Sequence, residues 1–298
     1  MKNSMKKIIT LSLAVGMSTA LMAKPNIDNS GMHAQMKKMA GKKGMFVKHE
    51  AFPKDYFLIS KSLPFAVGLT LHHPRSSELN LSKEQIEQIQ KIKGDTIPVV
   101  IQAAKKIKAL EIALAQRMME GAKAKDEYKA LQEIADKKTA LSQIHLQCIE
   151  NVRATLNPQQ RKTLLSYAGA KMKKGQKHPI EELVKLPHPV KMILMNKESL
   201  KITPKQMSSI ENEMLAVYPA KIHGKMDEAK LIEDKIKKEV LKHGTTKEDL
   251  KKDIQALADM KVQITNDHID ALNKLQAVLT KEQYKQLLNL VKSSKKHH

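Results

Sequence analysis

A five-residue pattern (Leu or Ile, a capping residue, two variable positions, then Gln) occurs four times in this chain, at matched distances. Leu81-Ser82-Lys83-Glu84-Gln85 returns 121 residues later as Ile202-Thr203-Pro204-Lys205-Gln206. Leu156-Asn157-Pro158-Gln159-Gln160 returns 123 residues later as Leu279-Thr280-Lys281-Glu282-Gln283. Each copy has the chemistry of a helix start. Ser82, Asn157, Thr203 and Thr280 are placed to accept a hydrogen bond from the third helical N–H, and Gln85, Gln160, Gln206 and Gln283 to reach back to the N-cap N–H. Pro158 and Pro204 fall at the first helical position, where a missing donor costs nothing. Leu81, Leu156, Ile202 and Leu279 precede the caps, as residues that staple onto the first turn do. Four helix starts in two matched pairs restrict the chain to one helical unit made twice.

Other positions repeat with the boxes. Pro219 answers Pro98, Gly244 answers Gly121, and Leu287-Leu288 answers Leu164-Leu165. Pro98 predicts a break or kink, because it removes a backbone donor. A long helix is predicted over about 124–155, roughly 45–50 Å at 1.5 Å per residue. It carries a stripe of period about 3.5: Leu131, Ile134, Lys138, Leu141, His145, Cys148 and Val152. Its counterpart reads Ile254, Leu257, Lys261, Ile264, His268, Ala271 and Leu275. Two such stripes can pack on each other, so that one chain imitates a homodimer. The expected fold is all-α: two tandem long-helix hairpins forming a curved cradle, an intramolecular pseudo-dimer. The units run over 60–170 and 181–292, joined by a basic linker at 171–180 and followed by a tail at 293–298.

The chain opens with Lys2, Lys6 and Lys7, runs apolar from Ile8 to Met22 and meets small residues at Ala20 and Ala23. This is the layout of a signal peptide over 1–23, which predicts export to the periplasm. Residues 24–59 read as a mobile basic arm bearing Met and His, becoming apolar after Phe52. Losing the leader removes three lysines and no acid, taking the formal charge from +22 to +19. That field attracts acidic partners. The scarcity of aromatics, 3% with no Trp, argues against a single-strand nucleic-acid binder and for helices with thin seams. No second apolar run is long enough for stable membrane insertion. Cys148, the single cysteine, excludes an internal disulfide.

The paired Leu-Thr-x-x-Gln boxes, one near the start and one near the end of an exported helical unit, resemble those of the Spy/CpxP family of periplasmic stress proteins. Relatives of that family include zinc-resistance-associated and nickel/cobalt-sensing proteins. The boxes at Ser82 and Asn157 depart from it at the second position but keep the capping chemistry. The resemblance implies a curved helical cradle, usually a homodimer, that binds unfolded exported proteins without ATP on a basic, partly apolar concave face, with a part in envelope stress. Here two subunits look fused, giving either a monomer acting as a pseudo-dimer or a dimer. The expected partners are unfolded or acidic exported proteins.

Met118, Met119, Met192, Met195, Met207 and Met214 are flexible, polarizable side chains suited either to client contact or to filling thin cores. His145 and His268 occupy matching places on the two stripes. If the stripes meet, the imidazoles could share Zn, Cu or Ni, which makes a metal-binding resistance or sensing protein the alternative reading. The competing reading is a pair of buried histidines with ordinary protein partners. His72, His73 and His188, and the Met/His arm, are weaker candidates of the same kind. No cofactor is otherwise called for. Phosphate loops, nucleophile elbows, His-Glu-x-x-His and Cys-x-x-Cys are all missing from the sequence, so a non-enzyme is expected.

Overall fold

The computed structural model describes residues 56–59, 63–169, 182–186, 189–240 and 242–294. The leader, most of the arm, the linker, His188 and the end of the tail lie outside the described residues. Among those described, every regular element is helical and none is a strand. A short helix α1 (Ala66–Leu71) and a 3-10 turn at Ser76–Leu79 lead to α2 (Lys83–Met119). Then come α3 (Ala124–Thr155), α4 (Pro158–Gly169) and another short helix, α5 (Pro189–Met195). A rod follows without interruption: α6 (Pro204–Ser209), a π-helical stretch (Ile210–Val217) and α7 (Tyr218–Val240). The last helices are α8 (Lys251–Val278) and α9 (Lys281–Ser294).

The repeat survives in the backbone. Asn80 and Lys201, one residue before the first box of each unit, both take positive φ, 44° and 52°. Gly121 and Gly244, at the two hairpin turns, take φ of 95° and 87°. Such angles crowd any Cβ, which is why glycine sits there. At Gly121 a Cβ would also come within 2.5 Å of the Gln276 amide.

Pro98 does not break its helix. The winding of α2 continues from Lys83 to Met119 with Pro98 inside it. Both Pro98 and Gly94, whose carbonyl loses its partner, are exposed, so the orphaned oxygen is not buried. Pro219 behaves differently. It stands two residues past the π-helical stretch and has no N–H to give to the Leu215 carbonyl within it.

α2 packs on α3, α7 packs on α8, and α3 packs on α8 across the middle. Both stripes are inside. Leu131, Ile134 and Val152 share one core cluster with Ile254, Leu257 and Ile264. A second cluster at the box end of the second unit holds Ile193, Ile210, Met214, Tyr218 and Leu287. Burial of each such side chain contributes about 1.5–3 kcal/mol, so the paired stripes are the main source of stability in a chain with few aromatics.

The arm's expected end at residue 59 is corrected. Phe57, Leu58 and Ile59 are buried, because their apolar side chains join the core clusters of the long helices. The start of the tail is likewise part of α9, which runs to Ser294.

Candidate functional site

All four boxes form. Ser82 and Thr203 close complete capping boxes with Gln85 and Gln206. Asn157 Oδ1 accepts from the Gln160 N–H at 2.8 Å, and Gln160 Oε1 accepts from the Asn157 N–H at 2.9 Å. Thr280 and Gln283 do the same at 3.2 and 2.9 Å.

The glutamines do more than cap. Gln85 Nε2 donates to Gln160 Oε1 at 2.8 Å and Gln160 Nε2 donates to Gln85 Oε1 at 3.0 Å. Gln85 also donates to the Thr155 carbonyl at the end of α3, and Gln160 to the Leu79 carbonyl before α2. In the second unit Gln206 and Gln283 form the same reciprocal pair at 2.7 and 3.1 Å, reaching the Val278 and Leu200 carbonyls. The two boxes of a unit thus clasp each other and tie four chain ends together. These residues are structural, and capping alone does not require them to meet.

At the centre, each stripe buries a lysine. Lys138 Nζ lies 2.6 Å from Glu111 Oε1 and donates to the Leu183 carbonyl at 2.5 Å. Lys261 Nζ lies 2.9 Å from Glu233 Oε1 and donates to the Leu58 carbonyl at 2.6 Å. The partners are exchanged. Leu58 belongs to the segment before the first unit and satisfies the second unit's lysine, while Leu183 leads into the second unit and satisfies the first unit's lysine. Both segments are buried over the meeting of α3 and α8, and the Leu58 N–H also donates to Ser142 Oγ at 3.1 Å.

The hairpin turns are exchanged as well. The Ala124 N–H donates to Asn273 Oδ1 at 3.0 Å, and Asn273 Nδ2 donates to the Ala122 carbonyl at 2.8 Å. At the other turn the Lys247 N–H donates to Glu150 Oε2 at 3.2 Å. Ala124 and Lys247 are equivalent in the repeat, as are Glu150 and Asn273, so the two contacts are mirror copies. Arg153 reinforces the second, donating to the carbonyls of Val240, Lys242 and Thr245.

His145 and His268 sit in unlike surroundings. His145 is buried between Phe57 and Phe65, with ring centroids 5.1 and 4.7 Å away. Its Nε2–H donates to the Pro64 carbonyl at 3.2 Å, and its Nδ1 is buried without a partner. Burial pushes its pKa down to about 4. His268 Nδ1 instead faces Glu182 Oε2 at 3.3 Å. Of the weaker candidates, His72 Nε2 lies 3.3 Å from Lys93 Nζ and His73 stacks on Tyr167 at 4.2 Å. Burial raises the Cys148 thiol pKa, which keeps it protonated. Among the described residues no group of three or more His, Cys, Asp or Glu is placed to hold a metal ion. Nor is any helix among them long and apolar enough to cross a membrane.

The methionines divide. Met118 and Met214 are corrected from client contacts to core, because each points inward from its helix into a cluster of Leu and Ile. Met119, Met192 and Met207 are half-buried. Met195 alone of the six is widely exposed, at 70%. Sequence reasoning missed three other exposed apolar side chains of the second unit: Leu194, Leu215 and Val217 are 42%, 43% and 55% exposed. They come from α5 and the π-helical stretch, which close over the same core cluster through Ile193, Ile210 and Met214. Exposed Lys191 lies on α5, Lys197 and Lys201 between α5 and α6, and Lys205 on α6, while exposed Glu211 and Glu213 lie in the π-helical stretch. The sequence signal was a run of apolar residues wider than one buried stripe needs. Comparison with protein-family models, with curated proteins and with solved structures finds no match.

Proposed function

We propose that the chain is an ATP-independent periplasmic chaperone that binds unfolded or acidic exported proteins and takes part in the envelope stress response. In this reading the two hairpins form a curved cradle, and one polypeptide does the work of a homodimer. The reciprocal Lys138–Leu183 and Lys261–Leu58 contacts, and the matching turn contacts, support a pseudo-dimer, since each half supplies what the other lacks.

The observation that carries the reading is the exposure of four apolar side chains on two elements of the second unit, Leu194 and Met195 of α5 and Leu215 and Val217 of the π-helical stretch, with exposed lysines close by in sequence. Apolar side chains in a charged surround give weak, general contact with unfolded chains while keeping the complex soluble. Long-range attraction by a +19 surface speeds encounter with acidic segments. The π-helical winding that carries Leu215 and Val217 is of a kind often found at working sites.

The test is light scattering of a chemically unfolded client with the mature chain, and with a Met195→Lys/Leu215→Lys variant. Both side chains are exposed, so the variant should fold with stability changed by about 0.5 kcal/mol or less per site. Suppression by the wild type and weaker suppression by the variant are expected. No suppression at equimolar wild type refutes the function, and equal suppression by the variant refutes the surface.

A further inference from the structure

A cleft of about 300 Å³ opens where the second hairpin turn docks on α3, beside α1 and α4. Its floor is apolar, from Leu69, Ile149, Leu164 and Val240, with Leu165 at the side. Arg153, Arg161 and Lys162 add positive charge, and no carboxylate lines it among the described residues. Glu150, which acts on the Arg153 charge, is engaged at the Lys247 N–H. Arg153 is spent on backbone carbonyls, whereas Arg161 makes one such bond, to Leu156, and Lys162 is exposed.

The duplication supplies an internal control. At the positions matching Arg153 and Arg161 the second unit has Gln276 and Tyr284. Tyr284 packs against the second core cluster, and its hydroxyl donates to the Met119 carbonyl of the opposite turn at 3.2 Å. The floor is conserved in kind, Leu164 and Ile149 answering to Leu287 and Leu272, but the guanidiniums are not. Arg153 joins the halves here, as Gln276 and Tyr284 meet the opposite turn, whereas Arg161 bonds only to Leu156 of its own unit. The Arg161 guanidinium stands in one half only, beside an apolar floor.

From this asymmetry we infer that the cleft is a binding site for a free single-chain amphiphilic anion, such as a medium-chain carboxylate, held by its tail on the Leu164–Ile149 floor and by its head at Arg161 and Lys162. The volume lies at the small end of the range for small-molecule sites, about 300–1,000 Å³, which suits one chain and not a peptide or a two-chain lipid. A desolvated tail contributes affinity, and a charge-assisted pair at the mouth sets its orientation. This site is separate from the exposed apolar side chains of the second unit and does not depend on chaperone activity.

The test uses the mature chain and 11-(dansylamino)undecanoate as a fluorescent probe, displaced by dodecanoate below its micelle concentration. Expected is saturable binding of one probe per chain, displaced by dodecanoate and not by a non-ionic maltoside of equal chain length. Arg161→Tyr copies the residue of the other half, so it should fold, and should weaken binding by about tenfold or more. Leu165→Glu should weaken it too, while Lys129→Gln, equal in charge change on an exposed part of α3, should leave it within about twofold. Equal displacement by the maltoside, an unchanged affinity in Arg161→Tyr, or many probes per chain lost equally in Lys129→Gln would overturn the site. So would Arg161-dependent recruitment to phosphatidylglycerol vesicles without binding of the monomeric carboxylate, since the ligand would then be a bilayer.

Discussion

The glutamine clasp gives the sharpest energetic prediction. Gln160 is 7% exposed, donates to Leu79 and Gln85, and accepts from the N–H of Asn157 and from Gln85. Neutral hydrogen bonds contribute about 1 kcal/mol net each, and stranding their buried partners adds to the loss. Gln160→Ala should therefore cost about 2–4 kcal/mol, and Gln85→Ala, whose surroundings are more open, about 1–3 kcal/mol. The two residues share a reciprocal pair of amide bonds, so the double variant should cost about 1–2 kcal/mol less than the sum of the singles. Urea unfolding of the mature chain followed by far-ultraviolet circular dichroism measures this, comparing midpoints at matched slopes. Gln206 and Gln283 should show the same coupling. Additivity within about 0.5 kcal/mol would mean that the boxes act only as separate caps, and the clasp would be refuted. Gln160→Glu extends the test. Its carboxylate would face the Leu79 carbonyl and Gln85 Oε1, which raises its folded pKa above the unfolded value. The destabilisation should be full at neutral pH and fade as the pH falls through that raised pKa.

Two further predictions concern the buried centre. His145 has a folded pKa of about 4 against an ordinary 6.5, so the unfolded chain takes up the proton first. Stability should fall as the pH drops below about 6.5 and level off below about 4, losing about 3 kcal/mol from this group. His145→Phe, which keeps a ring between Phe57 and Phe65, should flatten the curve measured by urea unfolding at stepped pH; an unchanged slope would contradict the assignment. Lys261→Met strands Glu233 and the Leu58 carbonyl and should cost about 3–5 kcal/mol, while Lys261→Met/Glu233→Leu should recover most of it. Thermal unfolding of the two variants checks this, and equal loss in both would refute the pairing.

The helices and their starts were written locally. A cap needs only a Ser, Thr or Asn and a Gln three residues on, and a stripe needs only apolar residues at the right period, so both are set within a few turns of chain. The doubling was equally plain, because matched offsets are a property of the string. The break expected at Pro98 is absent for the opposite reason: whether a lost hydrogen bond ends a helix depends on whether the orphaned carbonyl is buried, and it is exposed. Lys138 and Lys261 could be seen as charges on apolar stripes, but the Leu58 and Leu183 carbonyls that satisfy them lie 203 and 45 residues away in sequence and carry no side-chain signature. The Gln85–Gln160 and Gln206–Gln283 pairs, the exchanged turns and the one-sided arginine cleft are likewise meetings of distant segments. Local chemistry settled which helices form and where they begin. Only packing, which decides what each buried donor and acceptor meets once water is excluded, settled which of them are joined.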